Sequence, residues 1–270
     1  MYDVLIRSGR LIDGTGSPWF AGDVGVKDGR IAGIGELGET DALRTIDARN
    51  LFVAPGLIDI HTHSDLTLLI DGRACSSLAQ GITTQIVGNC GVSAAPVRNG
   101  EMYYGPLDPS MTRELKCDWS TFGEYFRRLE EEGLGTHVAA LVGHGNVRAA
   151  AVGYDDRVAT SAEMEEMKGL VEQALEEGVL GLSSGLAYAP GPYAPLEELV
   201  ELGRVVGRFG GVYTSHIRNQ TEGIDAAVEE VIAVGEGAGI TAHVSHMQPG
   251  SPMLGSTREL LKNIEEKRRQ

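Results

Sequence analysis

The sequence predicts an α/β fold, a (β/α) barrel preceded by a small β-sheet. Three observations carry this. Residues 1–55 read as short β-branched strands punctuated by Gly, Asp and Asn. From Gly56 onward, apolar strand-like runs alternate with helical stretches, which implies a parallel sheet with right-handed crossovers. The length, 270 residues, suits one large α/β domain or two smaller ones. The expected organisation is therefore a small β-sheet, a partial β-sandwich, over 1–55 and a barrel domain over 56–270.

In the first segment, DVLIRSGRLI, DVGVKDGRIAGIG and TIDARNLFVAP are the strand candidates. Lys27-Asp-Gly-Arg30 is the hairpin signal, because Asp-Gly suits a turn needing positive φ. In the second, the expected strands are Leu57–Ile60, Thr83–Val87, Val138–Val142, Val179–Leu182, Val212–Ser215 and Ile240–Ser245. Helices are expected over Ser161–Glu177, Pro195–Phe209 and Thr221–Ala238, with Ser161 as an N-cap and Gly178 and Gly210 at C-cap positions. Six β/α units are visible where a closed barrel has eight. Arg258–Gln270 reads as a charged helix, and residues 97–120 as a long loop.

Composition excludes several classes. The 38 acidic and 23 basic side chains leave a net charge of −15, which argues against nucleic acid or an anionic membrane as partner. No apolar run reaches the roughly 18 residues of a membrane span. The N-terminus lacks the pattern of a signal peptide, and three Cys make no disulfide framework, so the cytoplasm is the expected location.

Chemistry concentrates at strand ends. His61-Thr-His63 follows Leu57-Ile-Asp-Ile60, and on a strand residues i and i+2 share a face. Two imidazoles thus project together from the C-terminal end of the first barrel strand, where (β/α) barrels place their sites. His216 and His246 end the fifth and sixth runs in the same way, each after a Ser. Four His at one rim point to a metal centre. Cys90 ends the second run between glycines and supplies a thiolate ligand to the same rim.

The other candidates divide by position. His243 has the opposite strand parity from His246 and is expected to face the helices. His137 opens the third strand, away from the rim. Cys75 and Cys117 read as structural. His144, just past the third strand, is a candidate substrate contact. Asp65 either orients a ligand or caps the following helix, with capping the better reading. Gly14-Thr-Gly16 lacks a following helix and is no nucleotide loop.

These residues resemble a known family. Pro55-Gly-Leu-Ile-Asp-Ile-His-Thr-His-Ser-Asp65 is similar to the first-strand signature of the amidohydrolase superfamily. Gly88-Asn-Cys-Gly91, Gly181-Leu-Ser-Ser-Gly-Leu-Ala-Tyr188-Ala-Pro with Tyr193-Ala-Pro, and Ser215-His-Ile-Arg218 narrow it to the D-aminoacylase (N-acyl-D-amino-acid deacylase) family, over essentially the whole chain. The resemblance implies a (β/α)8 TIM barrel of the metallo-dependent hydrolase type, with about six units present. It implies hydrolysis of N-acyl-D-amino acids to a carboxylate and a D-amino acid. It also implies a tight Zn2+ held by Cys90, His216 and His246, a weaker second position bordered by His61, His63 and Cys90, and Tyr188 or His144 as substrate contacts. Many superfamily members bridge two metals with a carboxylated Lys on the fourth strand, but no Lys occurs between Lys168 and Lys262. That counts against hydantoinase- and dihydroorotase-like hydrolysis, the first alternative. An inactive metal-binding remnant is the second.

Two departures from the family pattern generate expectations. Gln248 stands where relatives often carry Lys, which bears on carboxylate recognition. The general acid/base of the family is an Asp at the end of the eighth strand, expected beyond residue 270. An N-terminal portion with an open barrel is expected to be poorly stable or to associate, and to be inactive unless a second chain or a C-terminal half completes it.

Overall fold

Asp28 and Gly29, both at positive φ (50° and 71°), make the turn that the Asp-Gly pair predicts. They join β2 (Phe20–Lys27) to β3 (Arg30–Gly35), in a computed structural model that describes residues 1–98, 102–105 and 115–269. β1 (Tyr2–Leu11) pairs antiparallel with β2 and parallel with β4 (Ala42–Asp47) and β5 (Phe52–Val53). The sheet order is β3-β2-β1-β4, with β5 also on β1. Ser8, at φ 61°, breaks the register of β1 between Ile6 and Gly9, and the Asp23 carboxylate accepts from its N–H. Leu5, Leu11, Val24 and Ala48 form the buried side. These strands belong to a compact unit covering Met1–Leu57; Ile58–Gln270 form a second.

In the second unit the strands are β6 (Leu57–Asp59), β7 (Ile82–Val87), β8 (His137–Ala140), β9 (Val142–Gly143), β10 (Gly181–Gly185), β11 (Val212–His216) and β12 (Thr241–Val244). They form a β6-β7-β8 sheet and a β9-β10-β11-β12 sheet. β8 and β9 are one strand interrupted at Leu141. The Leu141 N–H donates to Val87 and the Leu180 N–H to the Ala140 carbonyl, so the sheets continue as six strands in sequence order. The pairs β7–β8, β9–β10, β10–β11 and β11–β12 are parallel. This is a partial (β/α) barrel wall, with every strand end of interest on one side.

The helices are α1 (Cys75–Ala79), α2 (Phe122–Glu132), α3 (His144–Ala151), α4 (Ser161–Glu176), α5 (Leu196–Arg208), α6 (Ile224–Ala238) and α7 (Thr257–Arg268). α4 is capped one residue earlier than predicted. Thr160, not Ser161, closes a capping box with Glu163. α6 starts at Ile224 rather than Thr221, because the Asn219 side chain accepts from the N–H groups of Thr221 and Gly223 and holds a turn there. Three helices, α1, α2 and α3, lie outside those the sequence predicts. α2 carries a capping box, Thr121 with Glu124, that was legible in the sequence. α3 begins in Gly-His-Gly-Asn, a poor helix opening that tertiary contacts override. Residues 99–101 and 106–114 of the predicted long loop, and Gln270 at the end of the last predicted helix, lie outside the described residues. Among the described residues no helix is long and apolar enough to cross a membrane.

Candidate metal centre

Four strand ends deliver the cluster. His61 follows β6 by two residues, Cys90 follows β7 by three, His216 is the last residue of β11, and His246 follows β12 by two. The Cys90 Sγ lies 3.3 Å from the Nε2 of His61 and 3.4 Å from the Nε2 of His246. The Nδ1 of His216 lies 2.8 Å from that same His246 Nε2. His63 stands 5.4 Å from His61, ring to ring, and its buried Nδ1 has no partner. The sequence-predicted set is thus brought together, with one difference in grouping. The three donor atoms within 4.8 Å of one another are those of His61, Cys90 and His246. His216, which the resemblance places in the tight set, joins through His246 instead.

The loop holding Cys90 is built for close approach. Gly88, Cys90 and Gly91 all have positive φ (78°, 54° and 72°). A Cβ on Gly88 would stand 1.9 Å from the Leu141 carbonyl oxygen, so only glycine fits. A left-handed non-glycine residue costs about 1–2 kcal/mol, and surrounding bonds must hold it. The Ser183 hydroxyl of β10 accepts from the Gly91 N–H and donates to the Gly88 carbonyl, tying the two arms of the loop. The Asp65 carboxylate accepts from the Gly88 N–H at 2.8 Å. The Asn89 amide donates to the carbonyl of Ile86, and the Gly145 N–H donates to that of Gly91.

Burial sets the electrostatics. It pushes the Cys90 thiol up to about 12, with Asp65 adding to the effect. It lowers His61 to about 4, helped by the facing imidazoles of His246, His63 and His243. His216 falls to about 4 for the same reasons, burial first and then His246, His61 and His63. Cluster imidazoles held neutral are what metal ligation requires. The unfolded chain takes these protons near 6.5, the folded chain only near 4. The stability these two groups contribute above pH 6.5 is therefore lost as pH falls toward 4. Asp65 works in the opposite sense. Burial raises its carboxyl from 3.8 to about 7, so its contribution is present at low pH and lost as pH rises through 7. Residue-resolved NMR titration of the metal-free chain separates the two; His61 and His216 are expected to titrate near 4, and midpoints above 6 would contradict this environment.

The other sequence candidates resolve as follows. Tyr188 is at the site: its hydroxyl lies 3.1 and 3.0 Å from the Nδ1 and Nε2 of His216, with the rings 4.6 Å apart. His144 is not a substrate contact. Its ring is fully buried, with Nε2 2.9 Å from a Glu198 carboxylate oxygen on α5. The rim position was right for the backbone, but the side chain turns into the helix layer to satisfy a buried carboxylate. Asp65 is not a helix cap; it points inward to the Gly88 N–H, and no side chain caps the following 3-10 turn. His243 does not face the helices. It pairs with Thr214, which shares a face with His216, and in a parallel ladder paired residues point the same way. Alternation from His246 misleads because β12 ends at Val244 and His246 has φ 25°. His137 is exposed at the start of β8, Cys75 is exposed, and Cys117 donates to the Trp119 carbonyl. Gln248 is exposed. Ser183 and Gln220 escaped the sequence reading. For Ser183 a signal existed, a polar residue in an otherwise buried strand; Gln220 had none.

Comparison with known proteins agrees with this picture. A family model described as the amidohydrolase family matches residues 44–268. The chain is 37% identical over 265 residues to a D-aminoacylase of Alcaligenes xylosoxydans xylosoxydans, covering 98% of this chain and 54% of the relative. It is 39% identical over 272 residues to an N-acyl-D-glutamate deacylase of the same organism, again covering 98% and 54%. The crystal structure of N-acyl-D-glutamate deacylase from Bordetella bronchiseptica, complexed with zinc and a phosphonate inhibitor mimicking the tetrahedral intermediate, superposes with a TM-score of 0.91 at 42% identity. That match covers 100% of this chain and 56% of the other. The chain spans about half the length of the curated relatives it matches.

Proposed function

This chain belongs to the amidohydrolase family, and from that membership we propose that it carries the zinc centre of a hydrolase cleaving the amide bond of N-acyl-D-amino acids to a carboxylate and a D-amino acid. The observation that carries the reading is the Cys90 thiol within 3.4 Å of two imidazole nitrogens that follow different strands, with a third imidazole 2.8 Å from one of them. Imidazole and thiolate are zinc ligands, and the unpartnered Nδ1 of His63 beside them fits the same use. Cys90 and His246 would hold the ion with His216, and His61 and His63 would border a second, weaker position. When bound, zinc polarises the scissile carbonyl and activates water near neutral pH. β10 offers no Lys to bridge two metals, so the Cys90 thiolate supplies the anionic charge.

The chain's own groups divide the remaining work. Tyr188 presents a phenol beside His216, and burial together with Cys90 raises its pKa, so it stays a hydrogen-bond donor to a substrate oxygen. The buried loop around Gly88–Gly91 keeps Cys90 fixed while substrate enters and leaves. The family resemblance puts the proton-transferring Asp at the end of an eighth strand, expected beyond residue 270, so no residue of this chain is proposed for that step. The test is release of free D-amino acid from N-acetyl-D-glutamate and N-acetyl-D-methionine by the protein that carries this sequence, with N-acetyl-L-amino acids and hydantoins alongside. Turnover restricted to the D-substrates is expected. Turnover of hydantoins alone would overturn the substrate assignment.

A further inference from the structure

We infer that Gln220 is a positioning residue for the metal centre: its side-chain amide holds Nδ1 of His246 and so commits the opposite ring nitrogen, Nε2, to the ion. The inference rests on the metal-centre reading above. His246 needs such a partner. β12 ends at Val244, and His246 has φ 25°, so strand alternation does not aim its ring. Its Nε2 faces the Cys90 Sγ at 3.4 Å and the His216 Nδ1 at 2.8 Å. Its Nδ1 faces away, 3.2 Å from the amide of Gln220.

A neutral imidazole carries one proton. If Nε2 is to offer a lone pair, Nδ1 holds the hydrogen and donates it. The amide atom that accepts is then Oε1. A half turn of the amide exchanges its nitrogen and oxygen, so the 3.2 Å contact serves in that sense. Metal-bound imidazoles are commonly held this way from their far nitrogen.

Gln220 sits on a braced segment. The Arg218 guanidinium, two residues earlier, forks onto Glu230 of α6 at 2.9–3.2 Å and also donates to the carbonyls of Pro192 and Ala194. Asn219 closes a turn on Thr221 and Gly223. The Gln220 carbonyl accepts from the Gly250 N–H at 2.6 Å, joining the loop after β11 to the loop after β12. The segment carrying the amide is thus tied to α6, to the turn at Pro192 and Ala194 and to the loop after β12 that follows His246. This gives Arg218, a residue of the family-like Ser-His-Ile-Arg run, a role in holding the platform.

The experiment compares the metal-free protein that carries this sequence as wild type, Gln220→Leu and Gln220→Glu. Zinc affinity is read by competition with a chromophoric chelator, the thiolate-to-Co(II) absorption band reports Cys90 ligation, and thermal unfolding of the metal-free forms reports folding. Gln220→Leu is expected to weaken zinc about 10- to 100-fold, to keep the cobalt–thiolate band at saturation and to leave metal-free unfolding unchanged. Gln220→Glu, an obligate acceptor, is expected to restore wild-type affinity. Wild-type affinity in Gln220→Leu overturns the inference while leaving the metal centre intact. Equal weakening in both variants with lowered metal-free stability also overturns it, because the residue is then merely structural. A folded wild-type chain that takes up no zinc overturns both the inference and the metal-centre reading beneath it.

Discussion

Cys90→Ala is expected to remove tight zinc binding, lowering affinity by more than the roughly 100-fold that marks the loss of an outer partner. Cys90 is the one thiol in the cluster, and the donors within reach of it, His61 and His246, are neutral imidazoles. Its burial keeps the thiol protonated up to about 12 in the metal-free chain. Zinc must therefore displace that proton, and calorimetry at pH 7 in buffers of different ionisation enthalpy should show about one proton released per ion bound, absent in Cys90→Ala. Metal-free stability should change little, since Ala inherits the same left-handed backbone and loses only a small buried sulfur. Elemental analysis of the two purified proteins decides it. A Cys90→Ala chain that keeps its zinc would show that the imidazoles alone hold the ion.

Glu198→Ala is expected to be the most destabilising single change outside the cluster. Glu198 is 1% exposed and receives both the His144 Nε2 at 2.9 Å and the Arg148 guanidinium, each 0% exposed. Burial pushes the Glu198 carboxyl up, yet His144 and Arg148 together outweigh it and hold the group below its ordinary value. Removing the carboxylate leaves a fully buried guanidinium uncompensated, which costs about 3–5 kcal/mol. For a unit of this size that corresponds to a fall of about 10 °C in Tm. The double variant Glu198→Met with Arg148→Met should recover most of the loss, because the uncompensated charge is gone. The effect should also reach the cluster, since α3 begins at His144 and the Gly145 N–H supports the Gly91 carbonyl beside Cys90. Thermal unfolding of the wild type and the two variants checks the prediction, and a Glu198→Ala chain within 1 °C of wild type would contradict it.

The α/β architecture and the cluster were legible because both rest on short-range pattern. His61 and His63 lie past the end of β6 at Asp59, so strand alternation does not itself place them, yet their rings lie 5.4 Å apart as the His-Thr-His spacing predicts. Apolar runs ending in Cys90, His216 and His246 put those side chains at one set of strand ends, as the structure has them. The Asp-Gly turn and the amphipathic helices α4, α5 and α6 follow from turn chemistry and the helical period. What failed was local inference carried past the end of an element. His243 was assigned from the parity of His246, but parity ends with the strand at Val244.

Tertiary structure alone decided which polar groups satisfy one another. His144 finds Glu198 54 residues away, Ser183 finds the Cys90 loop 92 residues away, and Cys90 meets His246 at a separation of 156. Asp65 turns from a helix cap into the anchor of Gly88 for the same reason. A sequence by itself determines which residues lie on a common face and where a strand delivers them. Burying a polar atom makes a partner obligatory, and only the packed arrangement of distant elements decides which partner that is.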